Sequence, residues 1–190
     1  DLGGMSIMGH PQPTIFDSNV FLATALVNKH FDKKTAIRKN PSKWYSLKYI
    51  GISWNNLSMC RLTKFPGFMM THLPQGYLKQ TYEEVWNHCE DDLKRTSLNR
   101  FRSYGDVCPW LLRYWQLASG NFIPYNVYKD GKYYDIKDET IEKISKCIIQ
   151  QKKKLICLND TPTDMDFENN KRKICNAFEK ILPDKCLFEL

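Results

Sequence analysis

Residues 121–136 read NFIPYNVYKDGKYYDI, and the reading of this stretch decides the fold. Aromatic residues fill both sides of Asp130-Gly131, and an Asp-Gly pair suits a tight turn between two strands. The stretch therefore predicts a β-hairpin. After it, DETIEKISKCIIQQ (138–151) sets Ile141, Ile144 and Ile148 at helical spacing. KKLICLND (153–160) is a short apolar run and predicts a buried strand. A last helix is expected over residues 166–182, burying Phe167, Ile174, Phe178 and Ile181, with Pro183 helping to stop it.

Upstream, helical signals dominate. DSNVFLATALVNKHF (17–31) predicts a helix capped by Asp17 or Ser18, with Val20, Ala23, Val27 and Phe31 on its inner face. NPSKWYSLKYIGISWNN (40–56) also reads as helical, with Pro41 near its start. In MCRLTKFPGFMMTHLPQGY (59–77), Pro66, Gly67, Pro74 and Gly76 break any long element, and short strand pieces are expected at 68–71. Thr81 followed by Glu84 has the spacing of a capping box, opening a helix with Val85, Trp86, Cys89 and Leu93 inward. DVCPWLLRYWQLASG (106–120) predicts a helix capped by Asp106, with Pro109 in its first turn and Gly120 after its end. Residues 1–15 read as loop. The fold class is α/β, helix-rich, with few strands. One hairpin and one strand make a poor sheet alone. The sheet's other strands are expected upstream, and the 190 residues are read as a single domain, the C-terminal portion of a longer catalytic domain.

Composition narrows the function. Hydrophobic residues make up 42% of the chain, which rules out a disordered polymer. No run of about 20 apolar residues is present to form a spanning helix. The net charge of +7 suits an anionic partner, and its basic residues concentrate in KKTAIRKNPSK and QQKKKL. No nucleic-acid-binding signature accompanies them, so nucleic acid is not expected as a partner. Seven cysteines are scattered without a C-x-x-C pair, which argues against structural zinc and for reduced, mostly buried thiols.

Several residues stand out chemically. His72 lies on a loop stiffened by Pro74 and bent at Gly76, feeding a helix start; it is either a structural histidine or a proton acceptor. Arg100 and Arg102 are two apart and share a side in extended chain, where guanidinium groups bind phosphate. The plainer reading, slightly favoured by composition, is that one of the two pairs with Asp106, four residues beyond Arg102, and merely fixes the turn. Asn159 and Asp160 end a predicted strand, where α/β proteins bind ligands; Asp160 suits a metal or hydroxyl, or a turn cap. Leu111, Trp115 and Ala118 fit a buried helix face better than a stacking platform. His10, His30 and His88 are read as surface residues.

Six pieces carry a resemblance when taken in order: LVNKHFDKKTAIRKNPSKW, FPGFMMTHLPQGYLKQTYEEVW, TSLNRFRSYGDV, LLRYWQLASGNFIP, KLICLNDT and the end KILPDKCLFEL. Together they resemble the Stealth family of hexose-1-phosphate transferases of capsule synthesis. The resemblance covers part of that family's third conserved region and its fourth. It implies the C-terminal part of a nucleotide-sugar transferase-like fold. The regions that hold most of the family's metal-binding and donor-binding carboxylates are absent from this sequence. The family's catalytic histidine falls on His72 and its phosphate-contacting arginine on Arg102. Arg100, Asp106, Asn159 and Asp160 are the expected substrate-binding companions. One departure is Asn99, where the family commonly has histidine.

The resemblance implies a UDP-sugar donor, an oligosaccharide or polysaccharide acceptor, release of UMP, and Mg²⁺ or Mn²⁺ as cofactor. It places the protein in the cytoplasm, and the basic surface adds docking on the inner membrane face as a further expectation. Two other readings stay open: a conventional glycosyltransferase releasing UDP, and a non-catalytic basic module that binds polysaccharide.

Overall fold

A computed structural model describes residues 3–6, 14–160 and 163–188. Among the described residues the chain is helix-rich α/β with one small parallel sheet. It divides into two compact units. One comprises the described residues up to 70 together with residues 75–126; the other comprises Thr71–Pro74 and the chain from Val127 onward.

The first unit is helical. Helix α1 (Ile15–His30) packs on α6 (Trp110–Ala118), which also meets α5 (Lys79–Leu98). Val20, Ala23 and Val27 are buried as their spacing requires, while Phe31 follows the last turn. The cap of α1 is Thr14, whose hydroxyl accepts from the Asp17 N–H; Asp17 lies inside the first turn. Short helices α2 (Lys33–Lys39) and α3 (Pro41–Trp44) lead through a 3-10 turn at Leu47–Tyr49 to α4 (Ile50–Ser58). The expected helical stretch at 40–56 is thus helical but broken at Tyr45–Ser46. Trp44, Phe65, Phe68, Tyr114 and Phe122 form a continuous aromatic core, with ring centroids 4.6–5.8 Å apart. The strand pieces expected near Phe68 reduce to one antiparallel bridge with Met5.

Two sequence expectations at α5 and α6 give way to tertiary contacts. Helix α5 begins at Lys79, two residues before Thr81, and Leu78 precedes it without a side-chain cap. The Leu78 N–H instead donates to Gln116 Oε1 at 3.0 Å, and the Thr81 hydroxyl donates to the same oxygen. Glu84 accepts from the Trp115 indole N–H. The capping box is therefore replaced by partners on α6. Trp86 is exposed, although Val85 and Cys89 are buried. At α6, Asp106 does not cap; Pro109 holds that position. Gly120 follows the helix with φ +80°, where a Cβ would strike the Asn40 amide at 2.2 Å.

The second unit corrects the hairpin. Val127–Asp130 forms one helical turn, α7, which runs into strand β1 (Gly131–Asp135). Helix α8 (Ile141–Ile149) then crosses to strand β2 (Leu155–Asn159), and the two strands pair in parallel. A parallel pair needs such a crossover, and α8 supplies it. The hairpin fails for physical reasons. Pro124 has no N–H for a ladder, and the Phe122 ring is taken into the first unit's aromatic core. Gly131 is needed for space, not for a turn: a Cβ there would lie 2.5 Å from Leu73 Cδ1. Lys153 Nζ donates to the carbonyls of Tyr128 and Lys129 and closes the short turn.

Ile141, Ile144 and Ile148 point inward as expected, and Ile144 and Ile148 meet Ala177 of helix α9 (Phe167–Glu179). Asp166 caps α9, accepting from the Asn169 N–H. The inner face of α9 differs from expectation: Asn170 and Ala177 are buried, Ile174 and Ile181 pack at the margin, and Phe167 and Phe178 are exposed. Strand β2 is half-buried, not buried, because the sheet has two strands. All seven cysteines are free, but Cys60, Cys175 and Cys186 are exposed, so the thiols are less buried than expected. His30 and His88 are exposed, as read, and both rings meet the Trp115 ring. His10 lies outside the described residues.

Candidate functional site

In the second unit the segment Thr71–Pro74 lies against β1. Leu73 is buried in the space left by Gly131. That anchor places His72 beside Tyr133, two residues along the strand. The two rings lie 5.0 Å apart and are tilted by 33°. Tyr133 and Asp135 share one face of β1. The Tyr133 hydroxyl donates to Asp135 Oδ1 at 2.5 Å. Asn159, opposite Asp135 in the strand register, donates to the same oxygen at 3.0 Å. Asp135 and Asn159 thus close the carboxyl ends of both parallel strands, where α/β sheets present their ligand-binding groups.

These contacts set the charge. The Asn159 amide, then the Tyr133 hydroxyl, hold the Asp135 carboxyl below its ordinary range, and the nearby His72 adds to the effect. The bond to Asp135 raises the Tyr133 phenol, which keeps its proton. The array offers an exposed imidazole backed by an aromatic face, next to a carboxylate fixed by two donors. Such an imidazole is placed to accept a proton from a hydroxyl. Tyr133 and Asp135 were not singled out from the sequence. Their signal is the alternation Y-x-D on a strand, which the hairpin reading gave no partner.

In the first unit, Arg100, Arg102 and Asp106 lie on the loop between α5 and α6. With Asn19, Thr96, Asn99 and Cys108 they line a polar hollow of about 210 Å³. Asp106 is only 4% exposed, and its carboxylate is used within the loop. Ser103 N–H donates to it at 2.6 Å, Ser103 Oγ at 2.9 Å and Asn99 Nδ2 at 2.5 Å. The Ser103 backbone bond is the largest cause of its lowered pKa. Asn99 therefore acts as a donor that shapes the arginine loop. Arg100 lies over its neighbour Phe101, 5.3 Å from the ring centre. Arg102 is exposed, and no hydrogen bond or ion pair holds its guanidinium among the described residues, Asp106 included. A free guanidinium on a loop braced from below is suited to an anion.

The structure therefore groups Arg100, Arg102 and Asp106 in one unit and His72 with Asn159 in the other. Asp160 is exposed and lines a separate hollow of about 290 Å³ with Phe167, Lys171 and Ile174. Among the described residues no group of three or more His, Cys, Asp or Glu side chains is arranged to hold a metal ion.

The chain is 36% identical over 164 residues to the capsular polysaccharide phosphotransferase WcwK of Streptococcus pneumoniae, covering 86% of the chain and 48% of that protein. It is 34% identical over 177 residues to the exopolysaccharide phosphotransferase cps2G of Lactiplantibacillus plantarum, covering 92% of the chain and 51% of that protein. A third relative, the receptor polysaccharide phosphotransferase WefC of Streptococcus gordonii, is 32% identical over 166 residues, or 87% of the chain and 49% of that protein. The chain is thus similar over most of its length to proteins named polysaccharide phosphotransferases, and it spans about half the length of these relatives. No family profile and no solved structure matches it. No helix among the described residues is long and apolar enough to cross a membrane.

Proposed function

We propose that this chain is part of an enzyme that transfers hexose-1-phosphate from a UDP-sugar to a glycan hydroxyl and releases UMP, in the synthesis of a capsular or exopolysaccharide. The observation that carries the reading is likeness to polysaccharide phosphotransferases over 86–92% of the chain. In the reaction, the acceptor hydroxyl oxygen attacks the phosphorus bound to the sugar. The bond from that phosphorus to the bridging oxygen of UMP breaks. His72 takes the hydroxyl proton, and Tyr133 fixes the plane of its ring. Arg102 neutralises charge on phosphate oxygens, a role supported by its unpaired guanidinium. The resemblance places most carboxylates that would bind Mg²⁺ or Mn²⁺ outside this sequence. We place the reaction in the cytoplasm, where UDP-sugars are made.

The test is product analysis on the full-length protein with UDP-hexoses or UDP-N-acetylhexosamines, Mg²⁺ and an oligosaccharide primer. UMP that depends on His72 is the expected product. UDP would instead assign conventional glycosyl transfer. A folded protein that releases neither nucleotide but retains polysaccharide, with steep salt dependence, would be a binding module.

A further inference from the structure

Helix α4 is seated the wrong way round for a helix that faces water. Its inner side carries Ile52 and Asn56, with Asn55 beside them. Asn56 is fully buried and bonds the Met5 N–H and the carbonyls of Gly3 and Trp44; Asn55 bonds the Met5 carbonyl. Its outer side carries Ile50, Trp54 and Leu57 at the i, i+4, i+7 spacing of one helix face. They are 59%, 67% and 47% exposed, and Leu47 in the preceding turn is 87% exposed. An ordinary surface helix turns its polar residues outward. Here the asparagines are spent on anchoring, and the apolar row is left outside. An exposed apolar row of this kind marks a partner surface.

The row is held in place at both ends. Ser53 Oγ donates to the carbonyls of Ser46 and Tyr49, which keeps Leu47 and Lys48 beside the helix. The buried Lys33 ammonium donates to the carbonyls of Met59 and Leu62, which fixes the turn bearing Arg61. The row is therefore a rigid feature, not a frayed end.

Charge selects the partner. Between residues 33 and 70 the sequence has eight Lys or Arg and no Asp or Glu, although the whole chain has 28 against 21. Helix α4 itself has no charged residue, and the exposed cations Lys48 and Arg61 flank it. An anionic bilayer offers both a negative surface for these cations and an apolar layer for the Trp54 row. A covering protein segment would have to bring acidic groups to the rim as well as apolar ones to the centre. We propose that α4, with Leu47 and the flanking cations, is a membrane-surface anchor that docks this unit on anionic lipid. This inference does not depend on the reaction proposed above.

The experiment is co-sedimentation of the full-length protein with vesicles. One set is phosphatidylcholine; the other contains about one third phosphatidylglycerol in place of it. The expected result is partitioning to the anionic vesicles and roughly tenfold less for the double variant Ile50→Ser/Trp54→Ser. Both residues are exposed, and their replacement leaves the core intact. A second variant, Lys48→Glu/Arg61→Glu, keeps the apolar row and should lose preference for anionic lipid. Equal partitioning of wild type and both variants would overturn the proposal. So would a full-length protein that stays off both vesicle types while the α4 amides exchange slowly with solvent, because another part of the protein would then cover this face.

Discussion

The His72 ring lies 5.0 Å from the Tyr133 ring, and the Tyr133 hydroxyl is tied to Asp135. The histidine is thus placed by contact with a strand more than fifty residues away in sequence, not by its own loop alone. Replacing Tyr133 by Phe keeps the ring beneath His72 and removes only the bond to Asp135. Replacing it by Ala removes the ring. In the full-length protein, Tyr133→Ala should lower the rate of UMP release well below that of Tyr133→Phe, with His72→Ala lower still. Equal rates for Tyr133→Ala and wild type would show that His72 does not need this support.

Gly131 sets the position of the same histidine from the other side. Gly131→Ala puts a methyl where Leu73 Cδ1 lies 2.5 Å away. Overpacking of this kind costs about 1–3 kcal/mol. The variant should unfold at lower denaturant concentration, and Leu73→Ala in the same chain should recover part of the loss by clearing the contact. A simple sum of the two single effects in chemical denaturation would refute the coupling.

Arg102 should separate activity from stability. Its side chain is exposed, and Arg102→Ala should change unfolding free energy by no more than about 0.5 kcal/mol. If it meets phosphate, the same change should slow UMP release by about 10²–10³-fold, and Arg102→Lys should restore only part of it, because an ammonium lacks the planar fork. A large loss of stability in Arg102→Ala would move this residue from the chemistry to the scaffold.

Asp106 predicts an acid sensitivity. Its folded pKa is held down chiefly by the Ser103 N–H, and by Asn99 and the Ser103 hydroxyl. A depressed carboxyl stabilises the fold above its unfolded pKa, and that stability is lost as pH falls through the folded value. Asp106→Asn would set an amide N–H₂ against these donors. The variant should be less stable at neutral pH and should lose less stability on acidification. Thermal melts from neutral pH into the acid range would check both signs; parallel curves for the two proteins would exclude the assigned role.

Much of the helical content was legible because its cause is local. Val20, Ala23 and Val27 in α1 and Ile141, Ile144 and Ile148 in α8 recur at helical spacing, and they are buried where the spacing says. LICLN reads as a strand from composition and is one. The arginine loop and the His72 loop were also visible, through Pro, Gly and charge. What was not legible depends on partners far along the chain. Thr81 and Glu84 carry a capping-box spacing, yet Gln116 and Trp115 of another helix take up their polar groups. Asp130-Gly131 carries a turn signature, yet Gly131 serves the packing of Leu73.

The sequence by itself determined where the chain coils into helices, which residues form its apolar faces, and which family it resembles, because periodicity and motif order are properties of the string. Only the tertiary structure decided that the strands run parallel around α8, that Asn56 lies on the inner side of α4 while Trp54 lies on the outer, and that Tyr133, tied to Asp135, stands beside His72. Those outcomes turn on which of several locally allowed partners fills a given space, and a buried donor or a missing Cβ settles that only when distant segments have met.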